Sequence, residues 1–210
     1  MKIFIKFFFF IPIFLFYLNS YGQSLVSNDY NLSSNYIESV FYDISGKLWI
    51  GTDEGLNLIT SHDQYQFLAS ISNDNGLIDS EIFKLQDLKD GYTAAFSING
   101  ISIFNPNEFN FKQIRLKSRP VSIHYDDLND EYWITSEESG LIIVDSNFNI
   151  TSEYIFDPLN PLSLSSSKFS SKHNVEFFNG DTYIGTTNGF NFFNGEQKTF
   201  KRFYSGRNGL

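Results

Sequence analysis

Beyond residue 35 the apolar positions come in short runs of four to seven residues, broken by Gly, Asn, Asp and Ser, and no long Ala/Leu/Glu/Lys stretch follows the helical period. Aligning the chain on Gly55 makes one phrase appear four times: Gly55-Leu-Asn-Leu-Ile, Gly100-Ile-Ser-Ile-Phe, Gly140-Leu-Ile-Ile-Val and Gly189-Phe-Asn-Phe-Phe. Each is a glycine opening an apolar strand. A second strand precedes each, over Leu48–Thr52, Thr93–Ser97, Tyr132–Ser136 and Thr182–Thr186, with Trp49, Ala94, Trp133 and Tyr183 in the same place. Four residues before that place begins a turn pair: Ser45-Gly46, Asp90-Gly91, Asn129-Asp130 or Asn179-Gly180. These residue types tolerate the positive φ of a tight hairpin, so the pattern predicts antiparallel strand pairs.

A leucine column completes the unit. Leu32, Leu77, Leu116 and Leu164 each stand five residues before an apolar residue, Ile37, Ile82, Val121 and Phe169, which is expected to open the next strand. The leucines are spaced by 45, 39 and 48 residues, and Leu210 falls 46 beyond Leu164, where a fifth unit would begin. A period near 45 with four short strands per unit is that of a β-propeller blade. The expected fold is therefore all-β: about four blades, over residues 32–76, 77–115, 116–163 and 164–209, as an incomplete part of a larger propeller. In the first blade the strands are expected at Tyr36–Tyr42, Leu48–Thr52, Leu56–Ile59 and Tyr65–Ala69. Stacking buries the two apolar faces that one blade alone would expose, which assigns Trp49 and Trp133 to packing between blades rather than to ligand stacking. The repeat has irregularities: one extra residue before Gly140, and two between Phe169 and Tyr183, so that the first strand of the fourth blade is either bulged or begins near Asn174.

Residues 1–22 stand outside this pattern. Lys2 and Lys6 precede the apolar run Phe7–Leu18, and Ser20-Tyr21-Gly22 offers small residues to a signal peptidase, so cleavage before Gln23 is expected. The apolar core, about 12 residues, is shorter than the roughly 20 that a membrane span requires, and no direct span is expected after cleavage. Removing residues 1–22 takes away two lysines and no acid. It leaves 13 basic and 24 acidic side chains over residues 23–210, a formal charge of −11. Such a charge repels phosphate backbones, which argues against nucleic acid as a partner. With no cysteine in the chain, stability must come from packing.

The stretch "LSSNYIESVFYDISGKLWIGTDEGLNLI", residues 32–59, resembles the two-component regulator propeller repeat, and "DPLNPLSLSSSKF", residues 157–169, resembles that family's link between repeats. The resemblance is specific in the first blade, partial in the fourth and mainly positional in the second and third. It implies a seven-bladed propeller forming the periplasmic sensor half of a hybrid histidine kinase of Bacteroidetes-like bacteria, with further blades and downstream domains in the same protein. It also implies an extracellular or periplasmic ligand, plausibly an oligosaccharide. The alternative is a fragment of a secreted or surface propeller with a glycan-active enzymatic role or an adhesive one.

The residues themselves point to no catalytic chemistry. His62, His124 and His173 are isolated, without metal-ligand spacing, and are expected as solvated or hairpin residues. The acidic pairs Asp53-Glu54, Asp126-Asp127 and Glu137-Glu138 fall in or beside predicted hairpins and are expected to face solvent. No catalytic, cofactor-binding or metal-binding residue and no cofactor is assigned, and the ligand-binding residues are left open.

Overall fold

The structure, a computed structural model, describes residues 32–59, 76–108 and 110–206, together with the backbone of 67–71. The expected leader, His62 and Leu210 lie outside the described residues. Among the described residues sixteen strands form four separate four-stranded sheets, each antiparallel and in chain order. The first holds β1 (Ile37–Tyr42), β2 (Leu48–Thr52), β3 (Gly55–Ile59) and β4 (Phe67–Ile71). The second holds β5 (Lys84–Asp87), β6 (Thr93–Ser97), β7 (Gly100–Phe104) and β8 (Phe111–Arg115). β9 (Pro120–Asp126), β10 (Glu131–Ser136), β11 (Leu141–Asp145) and β12 (Ile150–Tyr154) make the third; β13 (Val175–Phe178), β14 (Asp181–Thr186), β15 (Gly189–Asn194) and β16 (Thr199–Phe203) make the fourth. The sheets stack face to face as the blades of an incomplete propeller.

The turn pairs behave as their residue types require. Gly46, Asp90, Gly91, Asp130, Asn179 and Gly180 all have positive φ between the first and second strands of their sheets. The glycines opening β7 and β15, like the one just before β11, answer a tighter demand. A Cβ on Gly100, Gly140 or Gly189 would run into the carbonyl oxygen of Ile114, Tyr154 or Phe203 on the adjoining outer strand, and all three have positive φ.

Three clusters lie between consecutive sheets. Trp49, Leu56 and Leu58 pack against Leu77, Ile82, Leu85, Ala95 and Phe104, with the Trp49 and Phe104 rings edge-on at 5.0 Å. Trp133, Leu141 and Ile143 meet Leu164, Phe169, Val175, Ile184, Phe193 and Phe200 in the same manner. Both tryptophans are fully buried and serve packing between blades, as the repeat predicted. The middle interface has Ala94 in the tryptophan place. Its volume is filled by Phe148, whose ring stacks on Tyr132 at 5.2 Å and meets Tyr92 edge-on at 5.4 Å. Phe148 occupies the left-handed region, at φ 64°; the backbone cost of about 1–2 kcal/mol is offset by the roughly 1.5–3 kcal/mol gained when such a ring is buried.

Three strand assignments need correction, at β4, Ile82 and Phe169, and the two irregularities of the repeat resolve. β4 runs two residues beyond the expected Tyr65–Ala69, because a register shift between Leu58 and Ile59 sets Leu56 against Ile71. Ile82 and Phe169 do not open strands: both are buried plugs ahead of β5 and β13, and their amides donate to Thr52 O (2.9 Å) and Ser136 O (3.2 Å) of the preceding sheet. The fourth sheet's first strand begins at Val175, beside Asn174, so the two extra residues enlarge the link and do not bulge the strand. The extra residue before Gly140 is absorbed by the hairpin, and β11 begins at Leu141.

The end sheets show what their neighbours would otherwise cover. Val40 and Tyr42 stand exposed on the face of the first sheet opposite Trp49. On the fourth sheet, Tyr183 stacks on Phe190 at 6.0 Å, Phe190 meets Phe203 at 5.7 Å and Tyr183 meets Phe192 at 5.8 Å, on the face that in the earlier sheets packs against the next one.

Candidate functional site

The links between sheets and the second-to-third-strand hairpins gather at one end of the stack. Asn99 is tied to Asp79, Glu137 N donates to Arg119 O (2.9 Å) and Thr187 N to Lys168 O (2.9 Å). At this end the repeat motif shows its purpose. Asn57 Oδ1 accepts from Ser33 N (3.0 Å), Asn57 Nδ2 donates to Ser33 Oγ (2.8 Å), and Ser33 Oγ lies 2.8 Å from Thr52 Oγ1, which donates to Gly55 O. Ser165, Thr186, Asn191 and Gly189 repeat the arrangement, with Ser165 N to Asn191 Oδ1 at 2.8 Å. In the second sheet Ser102 keeps a single bond, from Ile78 N at 2.9 Å. These clamps moor the start of each link over the hairpin below it.

The sheets approach one another most closely at their first strands, where bonds cross directly between them: Ser39 Oγ to Ile82 O, Gln86 Nε2 to Ile123 O and Ser122 Oγ to Asn174 Oδ1. These strands form the inner edge. Ser39 pairs with Gly51, Lys84 with Phe96 and Ser122 with Thr135, while Gly185 N donates to Asn174 O. The partner in each case lies two residues beyond the tryptophan place, so Ser39, Lys84, Ser122 and Asn174 stand at one level of the inner edge. By the same register Phe41, Gln86, His124 and Glu176 form the next level, towards the first-to-second-strand turns.

The level of Ser39, Lys84, Ser122 and Asn174 holds a polar network and a cation. Ser122 Oγ lies 2.7 Å from Thr135 Oγ1, Asn174 Nδ2 donates to Thr135 Oγ1 (3.0 Å), and His124 Nε2 is 2.8 Å from Ser122 Oγ. Burial, reinforced by the charges of Lys84 and His173 against a hydrogen bond that the ring would donate to Asn174, pushes His124 down to about 4, so the ring is neutral at pH 7. The Lys84 ammonium lies 4.1 Å over the Phe96 ring, and burial, with the charge of Lys172 beside it, lowers it to about 8. Arg119 stacks on Phe83 at 3.8 Å, and the Phe83 and Phe96 rings are 6.3 Å apart.

Acidic groups dominate the opposite end. A groove of about 540 Å³ between the inner strands of the third and fourth sheets is lined by His124, Asp126, Asp127, Glu176, Phe178 and Asp181, among others. Asp126 is a correction to the solvent-facing expectation: it is buried, accepting from Leu128 N and Asn129 Nδ2. Asp127, Asp53 and Glu54 are exposed as expected, and Glu137 and Glu138 are exposed with Arg119 and Lys168 beside them. His173 is an exposed link residue, whereas His124 is half-buried on β9, against expectation. Asp43 holds the first turn through Ser45 and Lys47 and accepts from Trp49 Nε1 (2.8 Å). Among the described residues no group of three or more His, Asp and Glu is placed to hold a metal ion, and no helix is long and apolar enough to cross a membrane.

The inner level escaped the sequence reading because Ser, Lys, Ser and Asn share no chemistry. The signal was positional: Ser39 and Lys84 each lie ten residues before the tryptophan place, with Ser122 and Asn174 one residue to either side of that offset.

No protein-family model matches the chain, and a comparison with curated proteins yields no match. Among solved structures the fold is similar to the extracellular domain of BT3049 from B. thetaiotaomicron, described as that of a hybrid two-component system (TM-score 0.59, 18% identity, 83% of this chain). It is also similar to that of BT4673 from B. thetaiotaomicron, described as that of a one-component system (0.54, 19%, 80%). A third similar structure is the dihydro-heme d1 dehydrogenase NirN in complex with DHE (0.57, 13%, 80% of this chain and 37% of that one). This chain spans 25% of the BT3049 domain and 21% of the BT4673 domain. At these identities the likeness establishes a propeller fold.

Proposed function

We propose that this chain is the opening part of an exported, ligand-sensing propeller of a two-component regulatory system, lying in the periplasm or at the cell surface. In this reading residues 1–22 are a cleaved leader, residues 23–210 are propeller repeats within a seven-bladed ring, and the remaining blades and signalling domains follow in the same protein. The carrying observation is that residues of the stretch bearing the family resemblance act together in the fold: Ser33, Thr52 and Asn57 form one clamp, and Ser165, Thr186 and Asn191, at the equivalent places of the fourth sheet, form it again. The likeness to extracellular sensor domains supports the same reading, as do the apolar faces on both end sheets, which suit further blades. The ligand, an oligosaccharide, is received at the end where links and hairpins meet.

Isothermal titration of the complete gene product with a panel of neutral and acidic oligosaccharides tests this, together with transcription in the host carrying or lacking the gene. Saturable binding without turnover, and a sugar-induced transcript lost on deletion, are expected. Turnover of a bound sugar would favour the glycan-active alternative. An unchanged transcript would remove the sensor reading.

A further inference from the structure

The chain carries 24 acidic against 15 basic side chains, yet its cations are not spread evenly. Lys84 and Arg119 sit on adjacent rings, Phe96 and Phe83, at the end where links and hairpins meet, and Lys172 lies in the next link, ahead of β13. Lys84 is half-buried and, among the described residues, its ammonium has neither a carboxylate nor any hydrogen-bond acceptor; it lies over the Phe96 ring. Arg119 rests on the neighbouring Phe83 ring, and its one carboxylate, Glu137, is 4.0 Å away at a half-exposed position. Lys172 is close enough to repel Lys84, as Lys84 and His173 repel His124. Holding two cations on adjacent rings fixes their stems while their N–H groups stay available. Lys84, partly desolvated, repelled by Lys172 and without a counter-charge among the described residues, is held at a cost that a bound anion would relieve.

We propose that this mouth of the inner edge is an anion-binding site, where Lys84, flanked by Arg119 and Lys172, receives a carboxylate, sulfate or phosphate group of a small ligand. Arg119 supplies two N–H donors in one plane and Lys84 a point charge, a combination suited to an oxyanion of a ligand lying across the sheets. The inference deepens the sensor reading by giving the ligand a charge, and rests on that reading only for its biological role.

The test is calorimetric titration of the full chain with sodium sulfate, sodium phosphate, glucuronate and glucose. Saturable binding of at least one anion, and none of glucose at this site, is expected. Lys84→Gln should weaken that binding about tenfold or more, as loss of a charge-assisted contact does, and Lys84→Arg should keep most of it. Lys47→Gln should leave it unchanged, since Lys47 lies at the opposite end, bonded to Pro106 O and Asn107 Oδ1. Equal anion affinity in wild type and Lys84→Gln, or saturation by none of the anions, overturns the site. A neutral oligosaccharide that binds wild type and Lys84→Gln alike, with no anion bound, would sink the anion site and leave the sensor reading standing; anion binding without any effect on transcription would do the reverse.

Discussion

Replacing Asn191 by leucine isolates the energetic worth of the repeated clamp. Asn191 and Ser165 are both buried, and the Asn191 amide makes three bonds: Oδ1 from Ser165 N (2.8 Å), Nδ2 to Ser165 Oγ (2.9 Å) and Nδ2 to Ile184 O (3.2 Å). Leucine nearly matches the volume and removes all three. The decisive term is the Ser165 amide, left without an acceptor where water does not reach, at about 1–3 kcal/mol. With the two weaker losses partly balanced by the apolar side chain, the net cost is about 2–3 kcal/mol. At 1.4 kcal/mol per factor of ten, the link around Ser165 should open about 30- to 150-fold more often. Asn191→Ser gives an internal calibration, because the second sheet already holds its link through one bond from Ile78 N to Ser102 Oγ; about 1 kcal/mol, or roughly fivefold, is expected there. Hydrogen–deuterium exchange read by mass spectrometry on peptides covering 160–170 measures this directly, with peptides from β9–β12 as controls. If Asn191→Leu leaves the exchange of Ser165 at the wild-type rate, or if the serine variant is as loose as the leucine variant, the clamp contributes nothing net and the reasoning fails.

Three other outcomes follow from the structure. Gly140→Ala should destabilise by clearly more than Gly46→Ala in urea unfolding: both have φ of 80°, which costs a β-carbon about 1–2 kcal/mol, but only at Gly140 does that carbon meet a backbone carbonyl, from Tyr154. Burial lowers Lys84 in the folded state to about 8, from 10.5. Folding therefore disfavours its proton, and the unfolding free energy should rise as pH increases from 8 towards 10, a rise that Lys84→Met abolishes. Expression in a secreting host should yield a chain beginning at or near Gln23, and mass spectrometry finding residues 1–18 retained would contradict the leader.

The sequence by itself determined the repeat, the strand pairs and their turns, because each is a local matter. A hairpin needs residues that accept positive φ, as at Asp90-Gly91 and Asn179-Gly180, and a half-buried strand needs apolar positions on the face it buries. The tryptophan column was legible for the same reason, since a large apolar side chain repeated at one strand position has to be buried somewhere. Where a link stops and a strand starts was not legible. Ile82 and Phe169 looked like strand openings, yet their amides reach back to the preceding sheet, and that pairing exists only once two blades are stacked. Ala94 likewise gave no sign of what would fill its interface; Phe148, from a turn 54 residues later, does so by accepting a strained backbone. The inner level of Ser39, Lys84, Ser122 and Asn174 is the clearest decision of the tertiary structure. Nothing in the bonding of any one strand requires those four residues to stand at one level. The stacking of apolar faces brings the first strands together at the inner edge, and it leaves Lys84 half out of water with no acid beside it among the described residues.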